Sequence, residues 1–163
     1  TAARILRQQH IRVPVYPISC GVDLERFHPD PGVDRADMRR RYGLDPQRTV
    51  FLFVGRIDQE KRLDVLLRAL RRLDRDDLQL GIVGRGRHVQ ALQAMAQALA
   101  LGQRVVFTGY VPAGDLPALL NSVDIFAMPS EAELQSIATL EAMASGRPVL
   151  AANARALPEL VKD

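Results

Sequence analysis

The sequence predicts an α/β protein built on a parallel, doubly wound sheet with helices on both faces. Three observations predict it. Five short apolar runs alternate with segments of helical period, the connections between them are short, and no repeat or low-complexity stretch interrupts the pattern. The strand-like runs are 50–54, 78–83, 105–107, 124–128 and 148–151, and the helical patterns are 60–73, 87–101, 114–121 and 135–145. In the first helical pattern Leu63, Leu66, Leu67 and Leu70 form one buried stripe. In the last, Ile137, Leu140, Glu141 and Ala144 fall on the stripe that should face the core, so Glu141 stands where an apolar residue is expected. A carboxylate there is costly unless something pairs with it or hydrogen-bonds to it.

Residues 1–163 read as a single domain, in which 1–47 form a lead-in segment and 48–163 the core. The lead-in contains an extended run over 13–19 broken by Pro14 and Pro17, expected as an edge strand, and a short helix over 35–42 stopped by Gly43 and Pro46. The chain opens on Thr1 and stops at Asp163, and reads as a piece of something longer. An apolar share of 47% with 25% charged residues is that of an ordinary globular protein. No apolar run reaches the roughly 18 residues of a membrane span, and no signal peptide is visible, which points to the cytoplasm. Basic residues number 22 against 19 acidic, and only Lys61 and Lys162 are lysines. Nucleic-acid binding would need clustered cations with stacking aromatics, and at 5% aromatics no nucleic acid is expected. Arg39-Arg40-Arg41 and Arg71-Arg72 read as solvated helix faces, leaving only a weak peripheral attraction to anionic membrane lipids. The single cysteine, Cys20, excludes an internal disulfide and reads as a small buried residue.

Open parallel sheets bind ligands beyond the carboxyl ends of their strands. Four strand-like runs end there in suggestive loops: Gly55-Arg56, Gly84-Arg85-Gly86, Gly109-Tyr110-Val111, and Pro129-Ser130 leading to Glu133. Gly55 lets the chain turn closely beneath a ligand. Arg56 and Lys61 flank the start of the next helix, where free N–H groups already favour an anion, and make a diphosphate site. The alternative is that Glu60 caps the helix and Lys61 is solvated. Gly84-Arg85-Gly86 begins like a dinucleotide fingerprint and fails it at Val89, so these glycines read equally as a tight turn. Ser130 with Glu133 three residues on is a capping-box pattern, and for Glu133 cap and ligand contact both stay open. For Glu141 a ligand contact is the better reading. Asp74-Arg75-Asp76 reads as a charged turn on the opposite rim. His10, His28 and His88 have no ligand spacing, so no metal site is expected.

With these residues assembled, the chain resembles the carboxyl-terminal, donor-binding half of retaining glycosyltransferases of the GT-B fold, whose halves are Rossmann-like. The likeness is carried by Cys20-Gly21-Val22-Asp23 with Phe27-His28-Pro29, by Val54-Gly55-Arg56 with Glu60-Lys61, and by Ile82-Val83-Gly84-x-Gly86. It continues through Val105-x-Phe107-x-Gly109-Tyr110-Val111 and closes on a Glu-x7-Glu pair, Glu133 and Glu141, followed by Gly146-x-Pro148. The resemblance implies that Arg56 and Lys61 bind the donor diphosphate and stabilise it as it leaves. It implies that Glu141 takes the ribose hydroxyls, that Glu133 meets the transferred sugar, and that backbone groups of Leu134, Gln135 and Ser136 meet sugar and phosphate. Tyr110 and Val111 would lie near the base, beside Gly84. The implied enzyme transfers a hexose from a nucleoside-diphosphate sugar, a co-substrate, with retention and with neither cofactor nor metal. A glycolipid or sugar acceptor would bind an amino-terminal domain, and these 163 residues alone would bind nucleotide with little turnover. Cys20, Arg62, Arg85, Arg87 and Gln135-Ser136 depart from the family pattern, the last pair at the sugar. The alternatives are a non-catalytic sugar-nucleotide-binding module and a sugar-nucleotide epimerase on the same fold.

Overall fold

The five apolar runs become five parallel strands of one sheet: β1 (Thr49–Val54), β2 (Leu78–Val83), β3 (Val105–Gly109), β4 (Ile125–Met128) and β5 (Val149–Ala151). The structure, a computed structural model, describes residues 6, 8, 13, 14, 16 and 18–162. The strand order is β3-β2-β1-β4-β5. The chain therefore walks outward from β1 to β3, returns beside β1 as β4, and walks the other way. The strand order reverses between β1 and β4, which is where an open sheet of this kind leaves a crevice at its carboxyl rim.

Helices α1 (Arg35–Arg41), α2 (Leu63–Leu73), α3 (Val89–Ala98), α4 (Leu116–Ser122), α5 (Ile137–Ala144) and α6 (Leu157–Leu160) fill the connections. Right-handed crossovers put α2 and α3 on one face and α4 and α5 on the other, and α2 packs on α3 while α1 packs on α4. β2 is buried along its whole length, as a central parallel strand should be. Leu52, Phe53, Leu67, Ile82, Leu119 and Phe126 form the middle of the core.

The rim is closed by backbone contacts that only glycine permits. A Cβ on Gly84 would stand 1.9 Å from the Gly55 carbonyl oxygen, and one on Gly86 2.1 Å from that of Ile57. At this crossing the Ile57 N–H donates to the Arg85 carbonyl at 2.9 Å and the His88 N–H to the Ile57 carbonyl at 3.0 Å. The glycines thus serve the close approach of two loops. Gly86→Ala should cost about 2–3 kcal/mol of stability, read as a lower urea midpoint with the slope unchanged, because rigid backbone must move.

Three sequence expectations change here. The run over 13–19 falls partly outside the described residues, and Val13, Pro14, Tyr16, Ile18 and Ser19 are exposed and in no strand. Its prolines lack the N–H a ladder needs. Cys20 is exposed rather than buried. Arg39 is not on a solvated face: it is 5% exposed. Its guanidinium donates to the Ser122 carbonyl at 2.7 Å, the Arg48 carbonyl at 2.9 Å and Asp124 at 2.7 Å. Asp124 also accepts from the Val50 N–H at 2.8 Å and from Arg35 at 2.6 Å. This cluster fastens α1 beneath the amino ends of β1 and β4. The rest of the lead-in is anchored by buried Phe27, and by Asn121, which accepts from the Asp30 N–H at 3.0 Å and donates to the His28 carbonyl at 2.9 Å.

Candidate functional site

The loops after β1 and β4 meet above the crevice. After β1 the chain makes one 3-10 turn, Gln59–Lys61, before α2 starts. Arg62 separates the two because it is left-handed, with φ 52° and ψ 36°. That conformation disfavours a side chain and would suit glycine better. Arg62 compensates by pairing with Glu131 at 2.7 Å and with Asp64 at 3.3 Å. The Glu60 carbonyl accepts from the Glu131 N–H and from the Ser130 hydroxyl, both at 3.4 Å. The two loops are stitched together by backbone as well as by charge.

At the centre Lys61 Nζ donates to Glu133 Oε1 at 2.5 Å, with side chains only 16% and 10% exposed. The structure thus joins the two residues that sequence reading placed at diphosphate and sugar. Arg56 is turned differently. Its exposed guanidinium reaches Asp58 and Glu60, each at 3.2 Å, and buried Asp58 also faces Arg87 at 3.9 Å. Glu60 makes no helix cap, because α2 begins three residues later.

The capping-box pattern is not realised. α5 starts at Ile137, so Ser130 lies too far ahead to cap it, and Ser130 Oγ instead accepts from the Ala132 N–H at 3.3 Å. The buried face of α5 also differs from expectation. Thr139 and Ala142 are buried and Ile137 is exposed. Two hydroxyls satisfy each other there, Thr139 Oγ1 donating to Ser136 Oγ at 2.8 Å, which lets a polar pair occupy the core side. Glu141 consequently lies half-buried on the flank. Burial pushes its carboxyl above the usual range, and the positive charge of Arg26 only partly offsets this. Among the described residues no group donates a hydrogen bond to that carboxylate.

The remaining expected residues are distributed along the same rim. Leu134 is 87% exposed. The amides of Leu134, Gln135 and Ser136 form no hydrogen bond with a described residue, and so stay open beside the start of α5. The Ser136 side chain is buried, leaving its backbone as the accessible part. Tyr110 is exposed, with the Arg85 guanidinium 5.5 Å above its ring, a cation–π contact. Val111 is buried in the core, so only its backbone faces the rim. The Gln135 side chain holds the lead-in segment: Oε1 accepts from the Cys20 N–H at 2.9 Å, and Nε2 donates to the Cys20 carbonyl at 2.9 Å and to Ser19 Oγ at 2.6 Å. Sequence reading missed Arg26, which donates to the Ala113 carbonyl and lies over Phe27. Nothing local marks it, since its partners are far along the chain. On the opposite rim Asp74 is held by Arg71 at 3.1 Å and Asp77 by Arg75. Among the described residues no cluster of His, Cys, Asp and Glu is arranged to hold a metal ion.

A lysine and open amides at a strand-order reversal, with carboxylates on either side, define an α/β protein whose crevice suits a phosphorylated ligand carrying hydroxyls. The fold is that of the carboxyl-terminal domain of a GT-B glycosyltransferase. A match to the family described as Glycosyl transferases group 1 covers residues 34–163, and the chain belongs to that family. It is 43% identical over 152 residues to a GDP-mannose-dependent alpha-(1-6)-phosphatidylinositol monomannoside mannosyltransferase of Mycolicibacterium smegmatis, covering 88% of this chain and 39% of that protein. The chain therefore spans about two fifths of that relative. Among solved structures it is similar to HepE of Anabaena in complex with UDP-glucose, at 29% identity and a TM-score of 0.78, over 88% of this chain and 40% of that one. The fold alone also matches the crystallised C-terminal domain of a glycosyl transferase group 1 family protein from Francisella tularensis. There the TM-score is 0.75 at 24% identity, over 88% of this chain and 76% of that one. Among the described residues no helix is long and apolar enough to cross a membrane.

Proposed function

We propose that these residues form the donor site of an enzyme that transfers a hexose from a nucleoside-diphosphate sugar to an acceptor with retention, without a metal. The Lys61–Glu133 pair carries this reading, because it sets a part-buried cation and a buried carboxylate side by side at the crevice. A donor diphosphate takes Lys61 from Glu133 and lies against the open amides of Leu134, Gln135 and Ser136. Glu133 is then released to accept hydroxyls of the transferred sugar. Charge that develops on the leaving diphosphate is met by Lys61, by Arg56 once it turns from Asp58 and Glu60, and by the start of α5. The leaving phosphate helps to take the acceptor proton on the same face, which gives retention. Glu141 supplies what a ribose needs: a half-buried carboxylate awaiting hydroxyl donors.

The 43% identity to a GDP-mannose-dependent enzyme supports mannose from GDP-mannose as the donor. Its name further supports a glycolipid acceptor, bound by a separate domain of the whole enzyme at the cytoplasmic membrane surface. A UDP-sugar is the second reading, supported by the likeness to HepE with UDP-glucose bound. Calorimetric titration with GDP, UDP and ADP in chelator-treated buffer tests both. GDP should bind most tightly, preferred UDP binding would favour the second reading, and no binding by any of the three to a folded sample would overturn the donor-site assignment. Glu141→Ala should weaken binding about tenfold, the worth of hydrogen bonds to a charged group. The same substitution should raise stability at neutral pH. A carboxyl whose folded pKa is raised stabilises the fold below its unfolded pKa and loses that contribution as pH rises through the folded value. Gain of stability with loss of affinity is the signature of a ligand group.

A further inference from the structure

Gln135 lies two residues beyond Glu133 in a loop without regular structure, yet its amide makes three hydrogen bonds to a segment more than a hundred residues away. Pairing with both the N–H and the carbonyl of Cys20 reproduces with a side chain what a neighbouring strand would offer. Among the described residues these are the only hydrogen bonds that join residues 18–22 to anything beyond their own segment. Val22 also packs against the core, and the next hydrogen bonds to the rest of the domain come at Arg26, His28 and Asp30, on either side of buried Phe27. Residues 131–136 are in turn held to the crevice by Lys61 through Glu133, and to the turn after β5 by the Ala156 N–H, which donates to the Glu133 carbonyl at 3.3 Å.

We propose that Gln135 is a positioning residue that fastens the segment at Ser19–Cys20 to the donor loop, so that occupancy of the donor site is transmitted to the lead-in of the domain. The inference rests on the donor-site reading above. A donor that engages Lys61 and the amides of 134–136 orders this loop, and an ordered loop holds Gln135 on Cys20 more of the time. The shared element is one loop with two grips, the crevice at one and Cys20 at the other.

Cys20 is the only cysteine of the sequence and is exposed, so a thiol-exchange reagent reports the segment at a single atom. The experiment measures labelling rates with and without saturating GDP or UDP, whichever calorimetry shows to bind. In the unmodified protein, nucleotide should slow labelling roughly threefold or more. Gln135→Ala should label faster without nucleotide, and nucleotide should no longer slow it. Gln135→Glu keeps the side-chain size and loses the donors to Ser19 Oγ and the Cys20 carbonyl, so it should also be uncoupled, which guards against a packing effect. Equal slowing in all three proteins would mean direct shielding of the thiol and would overturn the inference. So would an unchanged rate in the unmodified protein when calorimetry shows nucleotide bound. Should no nucleotide bind, the donor reading fails separately. The ligand-free comparison still decides whether Gln135 fastens the segment, and equal rates for the unmodified protein and Gln135→Ala would refute it.

Discussion

Asp124→Ala is expected to destabilise the protein by about 3–4 kcal/mol, the cost of leaving a buried cation without its counter-charge. Arg39 is the cation concerned, and its side chain is only 6% exposed. The Val50 N–H loses its carboxylate acceptor in the same step, at the first paired residues of β1. Asp124→Asn should cost less, because an amide oxygen can still accept from Val50. The pH dependence follows with a definite sign. Partial burial alone would raise the Asp124 pKa, but the Val50 N–H, the charge of Arg39 and the guanidinium hydrogen bonds outweigh it and hold the carboxyl below its ordinary 3.8. A depressed folded pKa stabilises the fold above the unfolded value, and the contribution is lost as pH falls through the folded one. Denaturant midpoints of the unmodified protein and Asp124→Ala should therefore converge below about pH 4. An equal separation at pH 3 and pH 7 would show that the cluster acts through packing and not through charge.

Lys61→Ala should act twice. It removes the cation at the crevice and strands Glu133, whose side chain is 10% exposed. Stability should fall by about 3 kcal/mol, as for other one-sided breaks of a buried pair. Affinity for the nucleoside diphosphate should fall at least about tenfold through loss of a charge-assisted contact. The paired substitution Lys61→Ala with Glu133→Ala separates the two effects. Stability should return toward that of the unmodified protein, since no lone charge remains, while nucleotide affinity should not. Recovery of affinity in the double variant, followed by calorimetry, would remove Lys61 from the donor site.

Much of this fold is legible because its strands are short apolar runs between turns, and parallel strands buried on both faces cannot hide that pattern. The loops holding Gly55, Arg56, Lys61, Tyr110 and Glu133 follow the carboxyl ends of parallel strands and so lie on one rim. What escaped reading depends on partners distant in sequence. Arg39 looked solvated because its acceptor, Asp124, lies 85 residues away. The buried face of α5 departs from its apolar pattern because Thr139 Oγ1 donates to Ser136 Oγ, so hydroxyls take the core side while Ile137 faces out. The helix after β1 starts later than its pattern suggests, because a left-handed residue, Arg62, stands within a continuous charged stretch. No local signal announces the grip of the Gln135 side chain on Cys20, 115 residues away.

The backbone contacts along the carboxyl rim form an unbroken series. The Gly109 carbonyl meets the Gly84 N–H, the turn at 84–88 crosses Gly55 and Ile57, the Glu60 carbonyl holds Glu131, and the Glu133 carbonyl holds Ala156. Loops joined in this way cannot change length one at a time, since an added residue would pull two neighbours out of register. On such a rim change is confined to exchanging side chains on loops of constant length. Insertions and deletions belong on the other rim, where the turn at 74–77 is closed mainly by pairs between neighbouring surface charges.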